Sequence, residues 1–246
     1  GETLDLMTSI VGRGELGQLP AERVWTELER ALGEQSPQVF FEVLRQCGAL
    51  ASLLPEIDVL FGVPQTEAHH PEIDTGVHVM MALAQAAALT ENTAVRFAVL
   101  MHDLGKGTTP REEWPRHIAH EQRGLALIKS VCRRLRVPND FRDLALLACK
   151  YHTHCHRALE LKPATVLKTL EALDAFRRPQ RLPEFLLACE ADARGRLGFE
   201  GRDYPQASRF ARAMEVASKV DTAELQRQGL KGAAFGEALR QERIAR

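Results

Sequence analysis

A histidine stands directly beside an aspartate in the stretch Met101-His102-Asp103-Leu104-Gly105-Lys106. Ahead of the pair, Ala94, Phe97, Ala98 and Met101 recur at helical spacing, which puts His102 and Asp103 on the last turn of a buried helix. Gly105 then offers a helix stop. The pair constrains the fold, because an imidazole and a carboxylate withdrawn from water need partners. Other elements must therefore bring polar groups to the same point. A metal ion is one such partner. A His–Asp hydrogen bond that merely caps the helix is the simpler alternative, and for an isolated pair the commoner one.

The elements available are helices. Leu and Ala are abundant while Val, Ile and Tyr are sparse, a balance that favours helix over sheet. Pro20 opens an amphipathic segment with Val24, Trp25, Leu28, Ala31 and Leu32 on one face. Ser36-Pro37 starts a second segment, which stops near Gly48, and Leu50 to Leu54 forms a third, ending at Pro55. Residues 55–76 read as a turn-rich connector. Helices are then expected over about 77–89, 91–104, 118–135 and 138–151, with others opening at Pro163 and Pro183 and near Tyr204, and a last one around Phe235 to Ile244. No alternating pattern marks a strand, so the fold class is all-α.

Length allows one large domain or two smaller ones within 246 residues. A net charge of −1 gives no global basic field to attract nucleic acid, although local patches such as Lys129, Arg133 and Arg136 remain. Five cysteines without CxxC spacing fit reduced thiols and a cytoplasmic location. No apolar stretch is long enough to span a bilayer. The chain opens on Gly1, which suggests an excised piece of a longer protein.

All nine histidines fall between His69 and His156. His78 precedes the His-Asp helix, His117 and His120 bracket the start of the next, and His152 ends the one after. Asp192 sits on a still later helix. Successive helices that each carry one ligand towards a common point are how helical bundles build metal sites. Mixed imidazole and carboxylate donors suit Mn²⁺, Ni²⁺, Fe²⁺ or Zn²⁺, and accept Mg²⁺ less comfortably. Such an ion polarises a phosphoryl oxygen and lowers the pKa of bound water from 15.7 to about 7. Lys106, Arg116 and Arg194 or Arg196 are placed to meet phosphate charge. This set best supports hydrolysis of a phosphate ester.

His78, His102-Asp103-Leu104-Gly105-Lys106, His120, His152 and Asp192, in that order, resemble the signature of the HD superfamily of metal-dependent phosphohydrolases, across residues 75–196. The resemblance implies an all-helical domain in which His78, His102, Asp103 and Asp192 hold a divalent metal such as Ni²⁺, Mn²⁺ or Mg²⁺. It also implies that His120 and His152 serve a second metal or bind phosphate. Asp103 would orient the attacking water, and Lys106, with Arg116 or His117, would stabilise phosphoryl charge.

The flanks narrow the resemblance. Pro20-Ala21-Glu22-Arg23-Val24-Trp25, Val39-Phe40-Phe41-Glu42-Val43-Leu44 and Leu54-Pro55-Glu56-Ile57-Asp58 are similar to the neck of bacterial CCA-adding enzymes, and Trp114-Pro115-Arg116-His117 and Glu190-Ala191-Asp192-Ala193-Arg194-Gly195-Arg196 resemble the subgroup of those enzymes that carries an HD domain. The implied organisation is a helical neck over 1–62, an HD domain over 63–200 and a helical tail over 201–246. That family's nucleotidyl-transfer head has no counterpart in these residues, so they are not expected to add CCA by themselves. The implied activities are 2′,3′-cyclic phosphodiesterase, 2′-nucleotidase and phosphatase, on nucleotide phosphate esters and tRNA 3′ ends. Lys129, Arg133, Arg136 and Lys231 are the candidate RNA contacts, and a homodimer is an open expectation. The rival expectation is an inert tRNA-binding and dimerisation module.

Overall fold

A computed structural model describes residues 1–246. It contains no strand, only an isolated bridge between Pro64 and Asp74. The all-α expectation holds. The first helices are α1 (Glu2–Gly12), α2 (Ala21–Gly33), α3 (Pro37–Gln46), α4 (Ala49–Leu53) and α5 (Pro55–Asp58). After a connector come α6 (Thr75–Leu89), α7 (Thr93–Met101), α8 (His120–Leu135), α9 (Asn139–His156) and α10 (Pro163–Ala172). The chain closes with α11 (Arg181–Arg194), α12 (Pro205–Ser218), α13 (Thr222–Arg227) and α14 (Gly232–Ala245). No helix is long and apolar enough to cross a membrane.

Two compact units are present, Gly1–His152 with Leu187–Arg202, and Thr153–Leu186 with Asp203–Arg246. In the first, α7 is the central helix, and every residue from Val95 to Met101 is buried. Its start is fixed by Asn92, whose side chain accepts from the N–H groups of Ala94 and Val95. Trp25 of α2 meets the edges of Phe97 of α7 and Phe141 of α9, with ring centroids 5.4 Å and 5.0 Å away. The neighbouring α6 is capped by Asp74, which accepts from the Val77 N–H at 3.0 Å. In the second unit, α10 packs with α12 and α14, and the Arg243 guanidinium lies 3.8 Å from the centre of the Phe176 ring.

Several boundaries differ from the sequence-based expectation, each for a local reason. Helix α7 stops at Met101; His102 is its C-cap, and Asp103 opens a 3₁₀ segment over Leu104–Thr108. Gly105 lies inside that segment and does not end the helix. A β-carbon there would overlap the His120 carbonyl oxygen and stand 2.7 Å from the Gly124 nitrogen. Glycine is thus required because the start of α8 crosses directly over it. Helix α9 runs on past residue 151 through His156, so His152, His154 and His156 are all helical. Pro55, expected to end a helix, occupies the first position of α5, where its missing N–H costs nothing.

Candidate metal centre

Five segments of the first unit bring their polar groups to one buried point. His78 sits on the first turn of α6, His102 and Asp103 follow α7, and His120 opens α8. His152 is on α9 and Asp192 on α11. His78, His102, Asp103, His152 and Asp192 are all buried.

The four histidines share one arrangement. Nδ1 of His78 lies 3.0 Å from the Gly195 carbonyl, and that of His102 lies 2.6 Å from the Val99 carbonyl. Nδ1 of His120 lies 3.1 Å from the His117 carbonyl, and that of His152 lies 3.0 Å from the Ala148 carbonyl. A carbonyl can only accept, so each Nδ1 carries the proton. In a neutral ring Nε2 is then left with its lone pair. All four Nε2 atoms turn inward. His78 Nε2 is 3.0 Å from Asp192 Oδ1, and His102 Nε2 is 3.2 Å from Asp103 Oδ2 and 3.7 Å from Asp192 Oδ1. On the other side of Asp103, Oδ1 stands 3.4 Å from His120 Nε2 and 3.8 Å from His152 Nε2.

Acceptors facing acceptors in a buried space need a cation between them. Two triads therefore fit a divalent metal, His78 with His102 and Asp192, and Asp103 with His120 and His152. His102 Nε2 and Asp103 Oδ1 are buried without a hydrogen-bond partner, as atoms reserved for another ligand would be. The electrostatics agree. Burial opposes charge on His102, yet the carboxylates of Asp103 and Asp192 outweigh it and raise its pKa to about 10. A proton thus stands in for a cation. Burial likewise opposes ionisation of Asp103, but His102 and Lys106 hold its carboxyl well below the ordinary value. Burial, reinforced by the His102 charge, pushes His152 down to about 3, so that ring is neutral.

Lys106 reaches the same point from the 3₁₀ segment. Its ammonium donates to Asp103 Oδ2 at 2.7 Å and to Gln65 Oε1 at 2.6 Å. Arg116 is exposed. His117 is buried with both ring nitrogens engaged, by Thr109 Oγ1 at 2.9 Å and the Pro64 carbonyl at 2.7 Å. Arg194 pairs with Glu190, whereas Arg196 approaches Asp192 Oδ1 to 3.8 Å. Away from the centre, Lys129, Arg133, Arg136 and Arg142 line a groove of about 530 Å³ between α8 and α9. Arg136 is paired there with Glu22 at 2.6 Å. Lys231 is exposed at the start of α14 in the second unit.

Sequence reasoning missed Gln65 and Glu72. Glu72 is buried against His70 and His78, and only its place in the polar loop six residues before His78 could have flagged it. Nothing in the sequence ties Gln65 to Lys106.

An all-helical protein whose successive helices converge imidazole and carboxylate around a paired His-Asp defines a recognisable class. Residues 75–197, half of the chain, match the model of the HD domain, and the chain belongs to the HD-domain family. Residues 2–61 match a model described as "Probable RNA and SrmB- binding site of polymerase A". The chain is 58% identical over 243 residues to the multifunctional CCA protein of Pseudomonas syringae pv. syringae, covering 99% of this chain and 60% of that protein. It is 56% identical over 243 residues to the multifunctional CCA protein of Teredinibacter turnerae, again 99% of this chain and 59% of the relative. To the protein of the same name in Thioalkalivibrio sulfidiphilus it is 57% identical over 243 residues, 99% of this chain and 59% of the relative. The chain thus spans about three-fifths of the length of these relatives.

Proposed function

We propose that this chain is a metal-dependent phosphohydrolase acting on 2′,3′-cyclic, 2′- and terminal phosphates of nucleotides and of tRNA 3′ ends. The observation that carries the reading is the inward convergence of four Nε2 atoms and two carboxylates beside the Lys106 ammonium. His78, His102, Asp103 and Asp192 would hold a divalent ion, with His120 and His152 on the far side of Asp103 for a second. Bound there, such an ion supplies Lewis-acid polarisation of a phosphoryl oxygen and a nucleophile at neutral pH. Lys106, pinned by Asp103 and Gln65, brings fixed positive charge to the phosphate without reorganisation. Where no second ion takes it, His120 Nε2, at the edge of the cluster, would hold or move a proton instead. Arg116 and His117 lie in the loop that joins the 3₁₀ segment to α8.

The names of the relatives support tRNA as the partner, with the neck and the groove of Lys129, Arg133 and Arg136 following its backbone and Lys231 a further contact. The division into neck (1–62), HD domain (63–200) and tail (201–246), a cytoplasmic location and dimerisation belong to the same reading. Release of nucleoside monophosphate from 2′,3′-cyclic AMP, with Mn²⁺, Ni²⁺ and Mg²⁺ supplied in turn, tests it. Turnover with at least one ion is expected. A folded chain that turns over nothing with any of them would leave only the tRNA-binding module.

Metal uptake should also release protons. The folded pKa of His102, about 10, lies above its ordinary 6.5. In the metal-free protein its proton therefore stabilises the fold fully below pH 6.5, and that contribution is lost as pH rises through about 10. A divalent ion at Nε2 must displace that proton, so metal affinity should rise with pH up to the same value. Calorimetric titration at pH 7.5 in buffers of different ionisation enthalpy should report about one proton released per ion bound. Zero release would contradict a metal at His102.

A further inference from the structure

Glu72 lies in the loop before α6, and its side chain is 2% exposed. Three groups converge on it. Oε1 is 2.9 Å from His70 Nδ1 and 3.1 Å from His78 Nδ1. Oε2 accepts the Leu197 N–H at 3.2 Å. An ionised carboxylate only accepts, so both imidazoles present N–H to it. His78 Nδ1–H is thus held between the Gly195 carbonyl at 3.0 Å and the Glu72 carboxylate.

This environment sets His78 apart from the other inward-facing rings. His102 and His152 lean on backbone carbonyls at Nδ1. At the outer nitrogen of His120 stands the carboxylate of Glu121, whose Oε2 is 3.6 Å from Nδ1 and whose side chain is 22% exposed. His78 has a buried carboxylate at its outer nitrogen. A second feature makes that contact achievable. Gly195 ends the turn after α11, and a β-carbon on it would overlap the Ala82 backbone of α6. Glycine therefore lets the end of α11 press against α6. That approach delivers the Gly195 carbonyl to His78 and the Leu197 N–H to Glu72. The loop before α6 and the helix that carries Asp192 are tied through one carboxylate.

We infer that Glu72 is the positioning residue of the centre, fixing His78 as its Nδ1–H tautomer with Nε2 aimed between Asp192 and Asp103, and making that nitrogen the strongest imidazole donor in the cluster. The physical cause is general. A carboxylate on the outer nitrogen of a ligating imidazole locks the ring and raises its basicity, and its loss costs about 10–100-fold in metal affinity. The inference rests on the metal reading given above.

The test is Mn²⁺ titration of the 246-residue chain, wild type against Glu72→Gln, with thermal midpoints measured in chelator. Glutamine keeps the shape and one acceptor but removes the charge. The expected result is Mn²⁺ binding weakened about 10–100-fold, with a midpoint in chelator close to wild type. Glu72→Asp, which keeps the charge but withdraws it by one methylene, should weaken Mn²⁺ similarly and carries the test if the glutamine variant does not fold. His70→Ala should lower Mn²⁺ affinity by less than Glu72→Gln does, since it removes a partner of Glu72 and a ring packed 4.6 Å from that of His78 but leaves the Glu72 carboxylate at His78 Nδ1. Unchanged Mn²⁺ affinity with a lowered midpoint would make Glu72 a structural strut and overturn the inference alone. A wild-type chain that takes up no Mn²⁺ would overturn the metal reading beneath it.

Discussion

Asp103→Asn should lower hydrolysis of 2′,3′-cyclic AMP by more than about 100-fold while leaving tRNA affinity unchanged. Asp103 is the one side chain shared by both halves of the centre. Its Oδ2 faces His102 Nε2 at 3.2 Å and Lys106 Nζ at 2.7 Å, and its Oδ1 faces His120 and His152. Loss of a carboxylate that merely supports a ligand costs about 10–100-fold, and a direct donor of one triad that also faces His102 of the other should exceed that. Asparagine fits the space but puts an NH₂ donor where an acceptor stood. It also leaves the buried Lys106 ammonium without its counter-charge. Breaking a buried ion pair from one side costs roughly 3–5 kcal/mol. Here the cost should fall toward the lower end, because His102 can shed its proton once the carboxylate charge is gone. Initial rates with Mn²⁺ and urea midpoints in chelator separate the two effects. Wild-type turnover in a folded Asp103→Asn chain would place the chemistry elsewhere.

The residues that converge on this centre were legible in the sequence because each violates its surroundings. His78, His102 and Asp103 interrupt apolar helical faces, and Asp192 stands among Ala188, Ala191 and Phe185 on a helix that is otherwise buried there. Such residues announce themselves without any knowledge of what they meet. The helical class was legible for a similar reason, since packing of each helix leaves a periodic trace in its own residues. What the sequence hid is whatever depends on a distant segment. Gly105 reads as a stop signal until the His120 carbonyl is seen lying over it. Glu72 and Gln65 look like ordinary loop residues until His78 and Lys106 arrive from later in the chain. The end of α7 at Met101 was hidden too, because the turn into the 3₁₀ segment is set by the contact with α8 and not by a breaker. Short α13 carries too few apolar residues to leave a pattern, with only Leu225 buried.

Arg96 is the clearest case of a residue whose role is invisible locally, and Arg96→Met should destabilise the chain by roughly 3–5 kcal/mol. The guanidinium is buried within the first unit. Nη1 donates to the carbonyls of Leu32 at 2.6 Å and Glu34 at 2.8 Å, Nε to that of Thr90 at 2.8 Å, and Nη2 to that of Ala87 at 3.2 Å. These carbonyls lie at the C-terminal ends of α2 and α6. The last four carbonyls of a helix lack partners within it, and that end carries the negative pole of the helix dipole. One cation on α7 thus satisfies the ends of two other helices. Burial pulls its pKa below the ordinary value, with Glu91 acting against that, but an arginine keeps its proton in either case. Methionine matches only the aliphatic stem and leaves several acceptors dry, each at about 1–3 kcal/mol less whatever water recovers. For a chain of this size about 2–4 °C of thermal midpoint is lost per kcal/mol, so a fall of roughly 6–20 °C is expected by scanning calorimetry. Lysine should recover less than half, since a single ammonium cannot span the four acceptors in a plane. The metal centre should be affected far less. His102 sits at the opposite end of α7 from Arg96, and His78 is on the first turn of α6 while the Ala87 carbonyl is on its last. Mn²⁺ affinity of the folded Arg96→Met chain should therefore stay within about tenfold of wild type. A variant that lost the metal but kept its stability would show that Arg96 acts on the centre and not on the scaffold that carries it.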